Sequence, residues 1–513
     1  MLAVVKSVGL SGLQGYMVDV EVDISSGLPG FDIVGLPSMA VKESKDRVRA
    51  AVKNCGLNIP VGRITVNLAP ANLKKEGPVY DLPIAVGLLA ASGQIPRGVY
   101  SNYVYIGELS LDGSIKGVTG ALPRVMVTVE EHAGMGIMVP WENGDEAALV
   151  GKGCIYPVSS LNDIVDFCQG KSTIESHEVN IQVLLNLAHE ETIKDMADVK
   201  GNYKAKRALE IAAAGGHNIL MVGPPGSGKT MLAHRVQHIT PRLSFEEALE
   251  ATKIYSVAGL INSKKPLVLN RPFRSPHHSV SKAGMVGGGG VPKPGEISLS
   301  HNGILFMDEF PEFKRDTLES LRQPLEEGKV MISRVHGSIE FPARLMLVAA
   351  MNPCPCGFLG DIDRECTCTP FEINRYKSRI SGPLLDRIDI HIEVPRIKYR
   401  DIRDQKKQNE KSNLIRERVV KARKIQELRF FGTPITSNAQ MGSKEVRYYC
   451  QLTGNGTKLL KDAFERLYLS VRAYYRILKV ARTIADLCES DEIGQEHIAE
   501  AIQYRSFDRT YSH

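Results

Sequence analysis

The sequence predicts an α/β chain made of two successive α/β units and an all-helical C-terminal part. Three observations predict it. Residues 1 to about 170 alternate β-rich runs with helical patterns. An apolar run ending in the glycine-rich turn Gly223–Thr230 opens a second unit, whose strands lead into Gly-rich or acidic loops, as in a parallel sheet with helices on both faces. Past Pro395 strand patterns stop, and helical patterns rich in Lys and Arg continue to the end.

At 513 residues the chain is too long for one core, and length suggests about three domains. Apolar residues make up 43%, charged residues 24% and aromatics 6%, which argues against wholesale disorder. The formal charge of +6 permits a polyanionic partner without requiring one. The longest apolar stretch, Leu82 to Ala91, is too short to span a membrane and reads as a buried helix. The N-terminus lacks the pattern of a secretory signal, and nine cysteines argue against a disulfide framework. The expected compartment is therefore reducing, the cytoplasm.

In the first unit (1–170), strands are expected at Val18–Ile24, Ile64–Leu68, Tyr103–Gly107 and Ile137–Val139. Helices are expected at Ser38–Cys55, Leu82–Ser92, Leu122–Glu131 and Leu161–Cys168. Residues 171–195 are polar and read as a linker. The second unit runs from 196 to 395 and the helical part from 396 to 513.

The strongest signal is Gly223-Pro224-Pro225-Gly226-Ser227-Gly228-Lys229-Thr230, a G-x-x-x-x-G-K-[ST] turn between the apolar strand Ile219–Val222 and a helix. Its glycines let backbone N–H groups face phosphate oxygens, and the helix N-terminus adds a favourable dipole. Lys229 then reaches the β/γ-phosphates of ATP, and Thr230 offers a hydroxyl to Mg²⁺. Gly303–Phe310 is a buried strand ending in Asp308, expected to hold Mg²⁺ through water, and Glu309, expected to polarise the attacking water. Alone, these could be two solvated acids. Leu345–Pro353 is a further strand ending in Asn352, suited to orient the water or γ-phosphate. Arg387 has two readings: a pair with Asp386 or Asp389, or a guanidinium supplied to a neighbouring subunit's phosphates, which requires a ring or comparable oligomer.

These residues resemble the magnesium-chelatase-like branch of AAA+ ATPases, and above all the bacterial YifB/ComM family. Residues 271–313, MNPCPCG (351–357), SGPLLDRIDI (381–390) and SVRAYYRILKVARTIADL (470–487) carry the resemblance, which covers essentially the whole chain. It implies an AAA+ core, a C-terminal helical lid and a homo-oligomeric ring, with a hexamer favoured. It implies that Arg472 is a sensor-2 arginine facing the γ-phosphate; the alternative is a solvated helix-face arginine. Arg274–His278 would belong to a helix-2 insert and Ile332–Ile339 to a pre-sensor-1 hairpin, with Arg334 and His336 near its turn suited to phosphate contacts; the alternative is a surface hairpin without a ligand. The histidines of the segment Pro276–His278 are expected at the tip of the insert.

The N-terminal unit resembles the Lon protease domain. Lys75-Glu76-Gly77-Pro78-Val79-Tyr80-Asp81 aligns with the Lon segment that supplies the serine, and Val79 takes the serine's place. The partner lysine falls near Leu122. Without a nucleophile no acyl-enzyme forms, so proteolysis by that mechanism is not expected.

Cys354, Cys356, Cys366 and Cys368 cluster after Asn352 and can close a tetrahedral structural Zn²⁺ site; the alternative is four free thiols. Cys55, Cys154, Cys168, Cys450 and Cys488 read as ordinary thiols. From Arg396 to Arg429 there are thirteen Lys or Arg against five Asp or Glu, a balance of +8. That fits sequence-independent DNA backbone binding, or a solvated helical face. No base-reading module is visible. The expected function is an ATP-driven DNA motor, which the resemblance links to branch migration during natural transformation. The alternatives are a motor subunit of a magnesium or cobalt chelatase and a protein-remodelling ATPase.

Overall fold

The structure is a computed structural model and describes all residues except 1, 97, 188–193, 335–336, 362, 398–408 and 506–513. The N-terminal unit is built on a seven-stranded sheet of β1 (Leu2–Ser11), β2 (Gln14–Ser25), β3 (Gly30–Val34), β4 (Arg63–Ala69), β5 (Tyr103–Tyr105), β8 (Gly136–Pro140) and β9 (Cys154–Val158). The small hairpin β6 (Glu108–Leu109) and β7 (Ile115–Lys116) stands apart. Strand order is β3-β4-β2-β1-β5-β8-β9. β1 is the hinge of this topology, antiparallel to β2 and parallel to β5. It was not among the expected strands, although Leu2 and Val4 point out while Ala3 and Val5 are buried, the two-residue alternation of a sheet. β3 and β9 were also missed, whereas β2, β4, β5 and β8 lie where strands were expected.

The helix Asp81–Ala91 is buried along its whole length and packs on β1 and β2, which explains why it has no polar face. Among the described residues no helix is long and apolar enough to cross a membrane. Part of the 171–195 stretch is strapped to the sheet: the His177 N–H donates to the Ile155 carbonyl at 2.7 Å, and Ile181–Leu187 is helical.

The second sheet contains β10 (Ile219–Val222), β11 (Phe273–Arg274), β14 (Gly303–Met307), β17 (Leu345–Met351) and β18 (Ile390–Glu393), all parallel, in the order β11-β14-β17-β10-β18. Alternate residues feed opposite layers. Ile219, Met221, Ile304, Phe306, Val348 and Ala350 enter one apolar cluster. Leu220, Val222, Leu305, Met307, Leu347 and Ala349 enter the other. Covering on both faces is why these strands read as unbroken apolar runs.

Between β11 and β14 two short helices, Lys282–Val286 and Glu296–Leu299, flank the hairpin β12 (Gly287–Gly288) and β13 (Lys293–Pro294). Of the segment expected in the insert, Phe273–Arg274 forms β11 of the core sheet, and the hairpin lies further along the chain. β15 (Lys329–Arg334) and β16 (Gly337–Pro342) form the second hairpin, antiparallel with Ile332 opposite Ile339. His336 and the Arg334 side chain lie outside the described residues.

The helix Ser412–Arg429 packs on the core helices Tyr203–Gly215 and Lys229–Ile239. It therefore spends part of the basic run internally. Arg418 pairs with Glu210 and Glu410, Arg423 donates to the Ala213 carbonyl, and Arg429 pairs with Asp486. Lys398, Arg400, Arg403, Lys406 and Lys407 fall outside the described residues. The later helices Gly454–Leu467, Val471–Leu487 and Gln495–Gln503 pack together. The two α/β units meet where buried Glu146 accepts from the Leu122 N–H at 3.0 Å and from the Ser256 hydroxyl of the helix Phe245–Ala258.

Candidate active site

The glycine-rich turn leaves the C-terminal end of β10, which lies between β17 and β18, at the edge where a parallel sheet opens to ligands. Gly223 is required by close approach: a Cβ there would fall 2.1 Å from the Val394 carbonyl oxygen. The turn is pinned from outside by Asn202, whose side-chain amide donates to the Ser227 carbonyl at 3.0 Å. Asn202 was not anticipated, because a lone Asn preceding a helix reads only as a turn residue.

Lys229 is 8% exposed and its ammonium donates to the carbonyls of Gly223 (2.6 Å) and Pro224 (3.0 Å) and to Asn352 Oδ1 (3.3 Å). Burial pulls its pKa down to about 8, against the opposing attraction of Asp308. The Thr230 hydroxyl donates to Asp308 Oδ2 at 2.7 Å. The other Asp308 oxygen accepts from the Glu309 N–H at 2.9 Å. Glu309 adopts left-handed backbone (φ 51°), an uncommon conformation for a glutamate that turns the chain sharply after β14. Its carboxylate meets His278 Nδ1 at 3.2 Å.

A cavity of about 640 Å³ unites these groups. Pro225 through Met231, Ser275 through His278, Asp308, Glu309 and Asn352 line it. The volume suits a nucleoside triphosphate. His277 and His278 thus stand at the cavity, stacked 4.1 Å apart, and not at an insert tip. The physical reason is that β11 pairs in parallel with β14, so both strands deliver their following residues to the same end of the sheet.

Arg387 is elsewhere. Ile390 is in register with Ile219, and Glu393 with Val222. Arg387 precedes the N-terminal end of β18, whereas the cradle follows the C-terminal end of β10. It is 9% exposed, donates to the Pro383 carbonyl at 2.7 Å and pairs with Glu326, so neither Asp386 nor Asp389 is its partner. Asp389 is instead held by Arg476 and His217. Arg472 is exposed in the first turn of the helix Val471–Leu487 and does not line the cavity. The competing arginines of that helix are committed, Arg476 to Asp389 and Arg482 to Asp486.

The four cysteines after β17 converge. The Cys354, Cys356, Cys366 and Cys368 sulfurs all lie within 4.8 Å of one another. Cys354 and Cys356 are 3.3 Å apart, Cys356 and Cys366 3.5 Å, and Cys354 and Cys366 3.7 Å. Tetrahedral thiolate ligation with Zn–S bonds of about 2.3 Å separates sulfurs by about 3.8 Å. Backbone N–H groups aim at the sulfurs, from Cys356 to Cys368 and from Leu359 to Cys354, each at 3.3 Å. The donor set and its spacing fit zinc. In the N-terminal unit, Val79 is 2% exposed and Leu122 fully buried.

Family profiles described as "Magnesium chelatase, subunit ChlI", "Subunit ChlI of Mg-chelatase" and "Magnesium chelatase, subunit ChlI C-terminal" match residues 195–402, 20–143 and 409–505. The chain is 45% identical to YifB of Escherichia coli K12, over 100% of this chain and 98% of that protein. It is 44% identical to the competence protein ComM of Haemophilus influenzae, over 99% of this chain and 98% of that protein. Lon protease 2 of Bacillus subtilis is 27% identical over 161 residues, 29% of this chain and 28% of that protein.

Proposed function

Because this chain belongs to the YifB/ComM family of magnesium-chelatase-like AAA+ ATPases, we propose that it is a ring-forming, ATP-driven DNA motor, favoured as a hexamer, that moves branches of recombination intermediates during natural transformation. In this reading Lys229 holds the β/γ-phosphates, while Thr230 and Asp308 hold Mg²⁺. The ion neutralises phosphate charge when bound. Glu309 polarises the attacking water and Asn352 orients it, while Arg472, outside the cavity in this structure, would need the lid to move to reach the γ-phosphate. Zn²⁺ occupies the four thiols.

The observation that carries the ring is the separation of Arg387 from its own cradle. The length of β18 alone puts about 13 Å between them. From that end of the sheet the guanidinium does not reach its own cradle, which supports a role at another subunit's phosphates. DNA is supported by the two hairpins beside the core, by the exposed Lys411 and Lys424 of the basic run, and by the similarity to the competence protein ComM. The N-terminal unit, with Val79 in the serine's place, is read as a docking, oligomerisation or DNA-handling module without protease activity.

A second reading, a chelatase-type motor subunit, is favoured by the three matching profiles. A protein-remodelling ATPase is the third. ATPase rates with single-stranded, duplex and four-way-junction DNA at low and high salt distinguish them. Strong stimulation by DNA that fades with salt supports the motor. No response to any DNA, with stimulation by a chelatase partner, overturns it.

A further inference from the structure

The four-cysteine loop leans directly on the nucleotide cradle. Gly357 has left-handed backbone (φ 86°), and a Cβ there would fall 2.7 Å from Pro225 Cδ and 3.9 Å from Asn352 Cγ. Any side chain would push Pro225 away. The Gly357 N–H closes a turn onto the Cys354 carbonyl at 3.0 Å, which ties Gly357 to the segment that carries Cys354 and Cys356. Two residues before Cys354, Asn352 accepts from the Lys229 ammonium. From the other side, the Phe358 ring is covered by the guanidinium groups of Arg364 and Arg396, 5.2 and 5.6 Å from its centroid. Cys354 itself is fully buried.

We propose that a zinc ion on Cys354, Cys356, Cys366 and Cys368 braces the nucleotide site, fixing Gly357 against Pro225 and Asn352 against Lys229. The proposal rests on the reading of Gly223–Thr230 as the ATP cradle and assigns the metal a task beyond folding its own loop. Four thiolates around one ion cross-link residues 354–356 to 366–368. This fixes both ends of the loop, and its contact with Pro225 then holds the backbone N–H groups of the cradle in the geometry that receives phosphates. Without the ion, sulfurs within 4.8 Å of one another are held only by weak thiol contacts and N–H···S bonds, and the loop can relax away from Pro225.

The test uses the full-length protein, metal analysis and a fluorescent ATP analogue with Mg²⁺. Purified wild type is expected to carry about one zinc per chain. Cobalt exchanged into the site should show the visible absorption of a tetrahedral thiolate complex. Stripping with a zinc chelator under reducing conditions should weaken nucleotide binding about tenfold or more, and zinc readdition should restore it. Cys366→Ala should lose zinc and affinity together, while Cys488→Ala, at an exposed thiol, should change neither. The chelation arm keeps the test valid should C366A not fold. Zinc-loaded wild type that fails to bind nucleotide would sink the ATPase reading itself. Zinc near zero in wild type, or stripped protein that binds nucleotide as tightly as loaded protein, overturns the brace alone.

Discussion

His278 Nδ1 stands 3.2 Å from Glu309 Oε2, so the carboxylate expected to polarise water is held by a ring from the loop after the neighbouring strand. The contact makes His278 a positioning residue for Glu309. His278→Ala should lower kcat about tenfold to a hundredfold while leaving the dissociation constant of MgATP unchanged. His278→Asn, which keeps an N–H donor, should recover part of the loss. Glu309→Gln, by comparison, should bind nucleotide normally and lose about 10²–10⁴ in turnover. Steady-state kinetics with a separate binding titration decides it. Normal turnover in H278A would show that the pair is incidental.

Lys229 supplies a pH dependence. Burial brings its ammonium down to about 8, so above that pH the free protein presents a neutral amine to the phosphates. Bound triphosphate favours the charged form, so binding takes up a proton there. Affinity for MgATP should be nearly flat up to about pH 7 and fall by up to about tenfold per unit above about pH 8. Calorimetry in buffers of different ionisation enthalpy should detect the proton. Lys229→Arg keeps its charge, so any binding it retains should be flat over this range. A flat wild-type profile would remove this account of Lys229.

Much of this site was legible because its chemistry sits in short sequence-local motifs. Gly223–Thr230, Asp308 and Asn352 each follow an apolar strand, and parallel pairing brings strand ends together at one edge. His278 was not legible. It also follows a strand, but β11 is only two residues long and gives no hydrophobic run to read. Asn202 was missed for a similar reason, since its link to Ser227 spans a whole helix and strand. β1 was hidden by mixing: its first half alternates, but Ser7, Val8 and Gly9 are all buried, and the alternation breaks. The basic run was legible only in part, because composition does not record direction. Arg418, Arg423 and Arg429 turn inward to carboxylates and a carbonyl.

Asp389 joins the core sheet to the lid. It is buried between Arg476 of the helix Val471–Leu487 and His217, whose other nitrogen meets the Thr483 hydroxyl at 2.8 Å. Burial alone would raise its carboxyl, but Arg476 and His217 outweigh it and hold the group well below the usual carboxylate range. A depressed folded value contributes stability above the unfolded pKa of about 4, lost as pH falls through the folded value. Asp389→Ala leaves Arg476 facing a vacated partner and should cost about 3–5 kcal/mol. Denaturant unfolding at neutral pH should show the loss, and the gap between variant and wild type should narrow in acid. A loss below about 1 kcal/mol at neutral pH would mean the lid is held by its apolar contacts alone.

Arg387 tests the ring through subunit mixing. At the far end of the sheet from its own cradle, and paired with Glu326, it would in a ring exchange that partner for a neighbour's phosphate. Each subunit would therefore carry one half of two different sites, its own cradle and its neighbour's guanidinium. Arg387→Ala subunits keep a complete cradle, and Lys229→Ala subunits keep a complete guanidinium. Each variant alone should have little ATPase activity. In a mixture, an R387A cradle facing a K229A neighbour has every group it needs, so activity should reappear and peak near equal proportions. A guanidinium acting within its own chain predicts the opposite, because no K229A or R387A subunit then holds a full set and mixing restores nothing. R387A with wild-type turnover when assayed alone would likewise remove Arg387 from the reaction.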